Sequence, residues 1–196
     1  MRVLILVVVI AALGYGAVQV LSQTQQRAAP AAEPLPSIAV TPAAARSFDE
    51  KLSAMEKAVE DARRSGRATP VEVTFTEQEL TSKLADVTLS GTAGLVATDI
   101  QVHLSGGNVV TTSKVSVQGL HLNVGIVATP VVEGGQAKLV IKDIQTGGVP
   151  FPDALKQQLQ AQLGQAIDPS ALGLPFEVTK VQVLDGKVVI SGNAKP

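Results

Sequence analysis

Residues 100–126 read IQVHLSGGNVVTTSKVSVQGLHLNVGI. Ile100, Val102 and Leu104 alternate with Gln101, His103 and Ser105, the period of a strand with one buried face. Gly106-Gly107-Asn108 then supplies a tight hairpin turn. Further on, Val115 and Val117 share one parity, while Leu120, Leu122, Val124 and Ile126 share the other. Gln118-Gly119 falls between the two sets. A bulge there puts both on one face and bends the strand. This stretch therefore predicts an antiparallel meander with a curved aliphatic face.

The flanking sequence extends the pattern. Val131-Val132-Glu133-Gly134-Gly135-Gln136 predicts the next hairpin, returning through Leu139, Val140 and Ile141. A last hairpin turns at Asp185-Gly186, between Val181–Leu184 and Val188–Ile190. Val71-Glu72-Val73-Thr74-Phe75 alternates as a further strand. Thr76-Glu77-Gln78-Glu79 has the form of a capping box, and Phe75 and Leu80 form a hydrophobic staple around it, opening a helix that runs to about Ala85. Ser47-Phe48-Asp49-Glu50 has the same box form. Phe48, Leu52, Met55, Val59 and Ala62 follow it at helical spacing, and Gly66 and Pro70 end the helix after about 18 residues. Pro152, followed by Leu155, Leu159, Leu163 and Ile167, predicts a second long helix with a glutamine-rich opposite side.

Ahead of this domain, Val3–Leu21 is 19 residues of almost unbroken apolar character behind Arg2. Such a length spans ~30 Å of hydrocarbon as a helix, and the positive flank keeps the amino terminus in the cytoplasm. The competing reading is a signal peptide, cleaved after the small residues of Gly14-Tyr15-Gly16 and releasing the domain as a secreted protein. Both place the remainder outside the cytoplasm. Ser22–Arg46 holds Pro30, Pro34, Pro36 and Pro42 and has no repeating apolar face, so it reads as a spacer. The expected organisation is an anchor or signal peptide over 1–21, a linker over 22–46 and an α+β domain over 47–196. In that domain a curved antiparallel sheet packs on the long amphipathic helix, with the second helix near the C-terminus.

Composition excludes several functions. The net charge of −1 gives no basic excess for nucleic acid. With no cysteine, disulfides, thiolate chemistry and cysteine-ligated zinc are ruled out. Aromatics are 3% of the chain, and its one tyrosine lies in the apolar N-terminal segment, which argues against a sugar-stacking cleft. His103 and His121 each alternate out of an apolar run onto the polar side of a strand. Together they offer at most a weak metal pair, were their strands adjacent. No phosphate-binding glycine loop or nucleophile elbow is present. No enzyme, cofactor or metal site is expected.

The features fall in a particular order: apolar N-terminal segment, linker, helix, strand with Phe75-Thr76-Glu77-Gln78-Glu79-Leu80, meander, Gly148-Val149-Pro150-Phe151-Pro152, closing hairpin at Asp185-Gly186. In this order the chain resembles the YpmS-like family of anchored extracytoplasmic bacterial proteins and the related LmeA-like envelope proteins, over most of residues 47–193. Thr81 stands where such proteins often carry Asn. The resemblance implies an elongated, curved sheet on a long helix, akin to lipid-binding tubular domains, and carries no catalytic residues. The expected function is lipid or apolar-ligand binding at the bacterial envelope, in a single-pass membrane protein. Ile100, Val102, Leu104, Leu120, Leu122, Val124, Ile126 and Leu139 form the expected apolar wall. The alternative is a membrane-tethered interaction or scaffold module with an envelope protein partner.

Overall fold

The long helix starts earlier than its capping box suggests. The computed structural model describes residues 35–85, 89–90, 96–117, 120–146, 149–150 and 176–195. Helix α1 spans Pro42–Ser65, and its N-cap is Thr41, whose hydroxyl accepts from the Ala44 amide at 3.2 Å. Pro42 occupies the first turn, where a missing N–H costs nothing. The expected start at Ser47 is thereby corrected, and residues 42–46, expected as linker, are helical. Ser47 serves a different partner, described below. The other end is as expected: Gly66 caps the helix in the left-handed region at φ 64°. The stripe also holds, with Met55, Val59 and Ala62 buried and Phe48 and Leu52 packed beside them.

Strand β1 (Thr69–Thr76) runs into α2 (Glu77–Leu84) through the expected capping box of Thr76 and Glu79. Glu79 is also the joint between the two helices. One of its oxygens accepts from Ser47 Oγ at 2.5 Å, the other from the Thr76 amide at 2.8 Å, and Lys51 Nζ lies 2.7 Å from both. Burial pushes the Glu79 pKa up. The bonds from Lys51, Ser47 and the Thr76 amide, with the charge of Lys51, outweigh that and hold it below its ordinary value. The same Lys51 ammonium donates to the Thr74 carbonyl at 2.7 Å, tying α1 to β1.

The remaining strands are β2 (Leu89–Ser90), β3 (Val96–Ser105), β4 (Asn108–Val117), β5 (Leu120–Glu133), β6 (Gln136–Thr146), β7 (Val149–Pro150), β8 (Glu177–Leu184) and β9 (Lys187–Ala194). They make two antiparallel sheets, not one. Strands β2 to β7 form a six-stranded meander in chain order, and the closing hairpin pairs with β1 in a three-stranded sheet ordered β1-β9-β8. Gly106 and Gly107, and Gly134 and Gly135, all have positive φ, as two-residue hairpins of this twist require.

Helix α1 packs on α2, β1 and β9 rather than lying centrally on the meander. The small sheet closes one end of the large one. The Val178 amide donates to Gly135 at 2.8 Å, the Gly186 amide to Leu104 at 2.9 Å, and the Gly106 amide to Asp185 at 3.3 Å. At this junction Phe176 lies over Gly192, where a Cβ would collide with the Phe176 ring and the Glu177 carbonyl. Helix α2 then covers the edge of β3. Thr81 Oγ1 accepts from the Val102 amide at 3.0 Å and donates to its carbonyl at 3.5 Å, and Glu77 accepts from the Leu104 amide. Thr81 thereby satisfies both backbone groups of Val102 at this edge.

Curvature comes from two bulges at positions other than the expected one. Val117 faces Leu120 across the β4–β5 pair, so the chain reverses between them rather than continuing as one bent strand. The parity argument survives this correction, because a two-residue reversal also puts Val115, Leu122, Val124 and Ile126 on one face. The bulges fall at Asp99-Ile100, set against Ser113, and at Lys142, between the Val127–Asp143 and Ala128–Ile141 pairs. Each bends its strand. The expected anchor over 3–21, residues Gln118 and Gly119 themselves and the expected helix opening at Pro152 lie outside the described residues. Among the described residues no helix is long and apolar enough to cross a membrane.

Candidate ligand-binding face

Register assigns the inner face of the meander residue by residue. Leu104, Val109, Ala128 and Ile141 form one row across four strands; Val102, Thr111, Ile126 and Ile144 form the next. Ser113 and Val124 continue it, beside the bulged Ile100. Ala97, Val115 and Leu122 share the row after that. The wall expected from sequence is thus largely one surface. Pro130 and Leu139 lie further along it toward the small sheet.

This surface is divided lengthwise. On the β3 side, Ala97, Ile100, Val102 and Leu104 belong to the core around Met55, Val59, Phe75 and Val188, with Ile100 and Leu104 each 1% exposed. On the β5–β6 side, Ile126, Ala128, Ile141 and Ile144 are also buried but stand outside that core. Val124 and Leu139 are half-buried. Three wall residues, Ile100, Val102 and Leu104, thus belong to that core. Val124, Ile126 and Leu139 lie on the other half, and the register continues to Leu120 and Leu122. Sequence reading could not separate the halves, since both alternate identically.

Two ion pairs lie on the outer face. Lys114 pairs with Asp99 and Lys138 with Glu133, each at 2.7 Å. The bond and charge of Asp99 raise the Lys114 pKa, and those of Lys138 lower that of Glu133. His103 is also on the outer face, yet it is buried, and its Nε2 has no hydrogen-bond partner. His121 is exposed. The metal pair is not formed: β4 separates their strands, and His103 lies level with Val110 but His121 with Ser116, roughly 20 Å apart along the strand. Among the described residues no three metal-ligating side chains come together.

The described chain is thus an α+β domain with an aliphatic inner sheet face, two bulges and ion pairs on the outer face. The chain belongs to the LmeA-like phospholipid-binding family, which matches it over residues 28–193. That family is one of lipid-binding domains, not of enzymes. No curated protein matches the chain.

Proposed function

We propose that this protein binds phospholipid at the bacterial envelope, held by residues 3–21 with residues 47–196 outside the cytoplasm. The acyl chains lie along the inner face of β5 and β6, against Leu120, Leu122, Val124, Ile126 and Leu139. The observation that carries this reading is the inner face in a member of a phospholipid-binding family: Ile100, Val102 and Leu104 belong to the core around α1, while Val124 and Leu139 on β5 and β6 are only half-buried and stand outside it.

Magnitudes favour a long ligand. Each buried methylene contributes about 0.8 kcal/mol, and association costs roughly 4–15 kcal/mol. About ten methylenes therefore only enter the lower part of that range, and a short apolar molecule falls below it. The test is photocrosslinking of the full-length chain to a phosphatidylethanolamine with a diazirine on its tail, followed by peptide mass spectrometry. Adducts are expected on β5 and β6. Adducts confined to residues 3–21 overturn the proposal, because that segment would be labelled by any bilayer. Protease accessibility of the domain in intact and permeabilised cells tests its location independently.

A further inference from the structure

On β4 the aliphatic inner face is interrupted at two neighbouring positions. Thr111 is half-buried and Ser113 is buried, only 7% exposed. The residues that face them across the register are aliphatic. Thr111 faces Val102 on one neighbouring strand and Ile126 on the other. Ser113 faces Val124 on β5 and the bulged Ile100 on β3. The next inner positions along β4 are Val109 and Val115. Asp99, the other bulge residue, is turned outward to Lys114. Burying a hydroxyl among aliphatic groups is unfavourable, and serine lacks the packing benefit that valine has in a strand. Two such residues stand next to one another on the one strand that divides the filled half of the face from the other half.

We infer that Thr111 and Ser113 are the polar contacts of the lipid site, donating hydrogen bonds to the ester carbonyls that join the acyl chains to glycerol. This rests on the lipid reading and narrows it to ester-linked lipids. The two side chains lie two residues apart on one strand face, about 7 Å. The two ester groups of a diacyl lipid hang from adjacent glycerol carbons and are within reach of such a pair. An ester carbonyl accepts and never donates, which matches a hydroxyl free to rotate its proton toward it. Placed there, the glycerol lies over β4 and the tails extend across the half-buried Val124 on β5. An ester carbonyl there offers these hydroxyls an acceptor among otherwise aliphatic cross-strand neighbours.

A competing account needs only size: one residue opposed to two at the Asp99-Ile100 bulge is crowded, and a small side chain fits. Ser113→Ala separates the two, since alanine is as small but has no hydroxyl. Thr111→Val keeps the shape of Thr111 and removes the same group. The full-length chain, its double variant and each single variant are compared for competition of the photoprobe by two phosphatidylcholines of equal chain length. One is ester-linked and the other ether-linked, without carbonyls. Wild type is expected to favour the ester lipid by roughly tenfold, as two ordinary hydrogen bonds allow. The double variant is expected to lose that preference while its ether-lipid affinity stays unchanged. Should Ser113→Ala prevent folding, Thr111→Val alone carries the test, with a loss of roughly threefold to fivefold. Equal affinity of wild type for ester and ether lipids overturns the inference and leaves the lipid reading intact. So does a double variant that weakens both lipids equally. Failure of wild type to bind either lipid overturns both.

Discussion

The β3 half and the β5–β6 half of the meander have the same alternating aliphatic grammar and different partners. Ile100, Val102 and Leu104 belong to the core shared with α1 and the small sheet; Ile126, Ala128, Ile141 and Ile144 lie outside that core. Hydrophobic alternation specifies which face of a strand turns inward. It does not specify what the face meets, because burial against a helix and burial against a lipid tail have the same driving force.

The comparison is broken most directly by truncation on each side. Leu104→Ala is expected to cost about 3–4 kcal/mol in urea unfolding, since Leu104 is almost wholly enclosed. It should not change lipid bound per folded molecule. Val124→Ala, half-buried on the other side, is expected to cost about 1 kcal/mol or less and to reduce photolabelling of β5. If Val124→Ala destabilises as much as Leu104→Ala, the two halves are one core and the division fails. A second, smaller effect belongs to the filled side. Glu79→Gln weakens the three-way joint to Ser47, Lys51 and the Thr76 amide and is expected to cost about 2 kcal/mol. The joint also sets a pH dependence. The folded pKa of Glu79 lies below the unfolded one, so its contribution is complete above about pH 4.3 and is lost as pH falls through the folded value. Glu79→Gln should therefore flatten the acid limb of stability measured against pH.

Much of the fold was legible because it is local. The stripe from Phe48 to Ala62, the Thr76–Glu79 box and the three glycine hairpins each declare themselves within a few residues. The start of α1 was legible in principle: Thr41-Pro42 is a cap followed by a first-turn proline, and three alanines follow. The prolines around it masked the signal. The Asp99 bulge also left a trace, since Ala97, Ile100, Val102 and Leu104 are spaced by three, two and two. Ala137, Leu139, Ile141 and Ile144 carry the mirror pattern for the Lys142 bulge. The pairing of β1 with β9 left no such trace, because Val73 and Ile190 meet only in three dimensions. The hydroxyls at Thr111 and Ser113 were visible as residues, but their placement in the aliphatic wall needed the register of both neighbouring strands. A third prediction tests the local reading: Thr41→Ala removes the cap of α1 and is expected to cost about 1 kcal/mol in thermal or urea unfolding.

The two bulges differ in one respect that sharpens the comparison of the halves. Asp99 is the sole non-glycine residue among those described with positive φ, at 52°, whereas the bulge at Lys142 has no such residue. Aspartate tolerates the left-handed region better than most side chains, yet glycine occupies it without a Cβ penalty. Asp99→Gly gives up an ion pair with Lys114 in which both side chains are largely exposed, and such pairs contribute little. Relief of backbone strain is opposed by the greater freedom of glycine in the unfolded chain. The expected net effect is within about 0.5 kcal/mol of zero in urea unfolding, with the register of β3 unchanged. Asp99→Val places a β-branched side chain at the same φ and is expected to destabilise clearly more. A large loss with glycine would show that the Asp99 side chain, rather than its backbone conformation, holds the bend of the filled half.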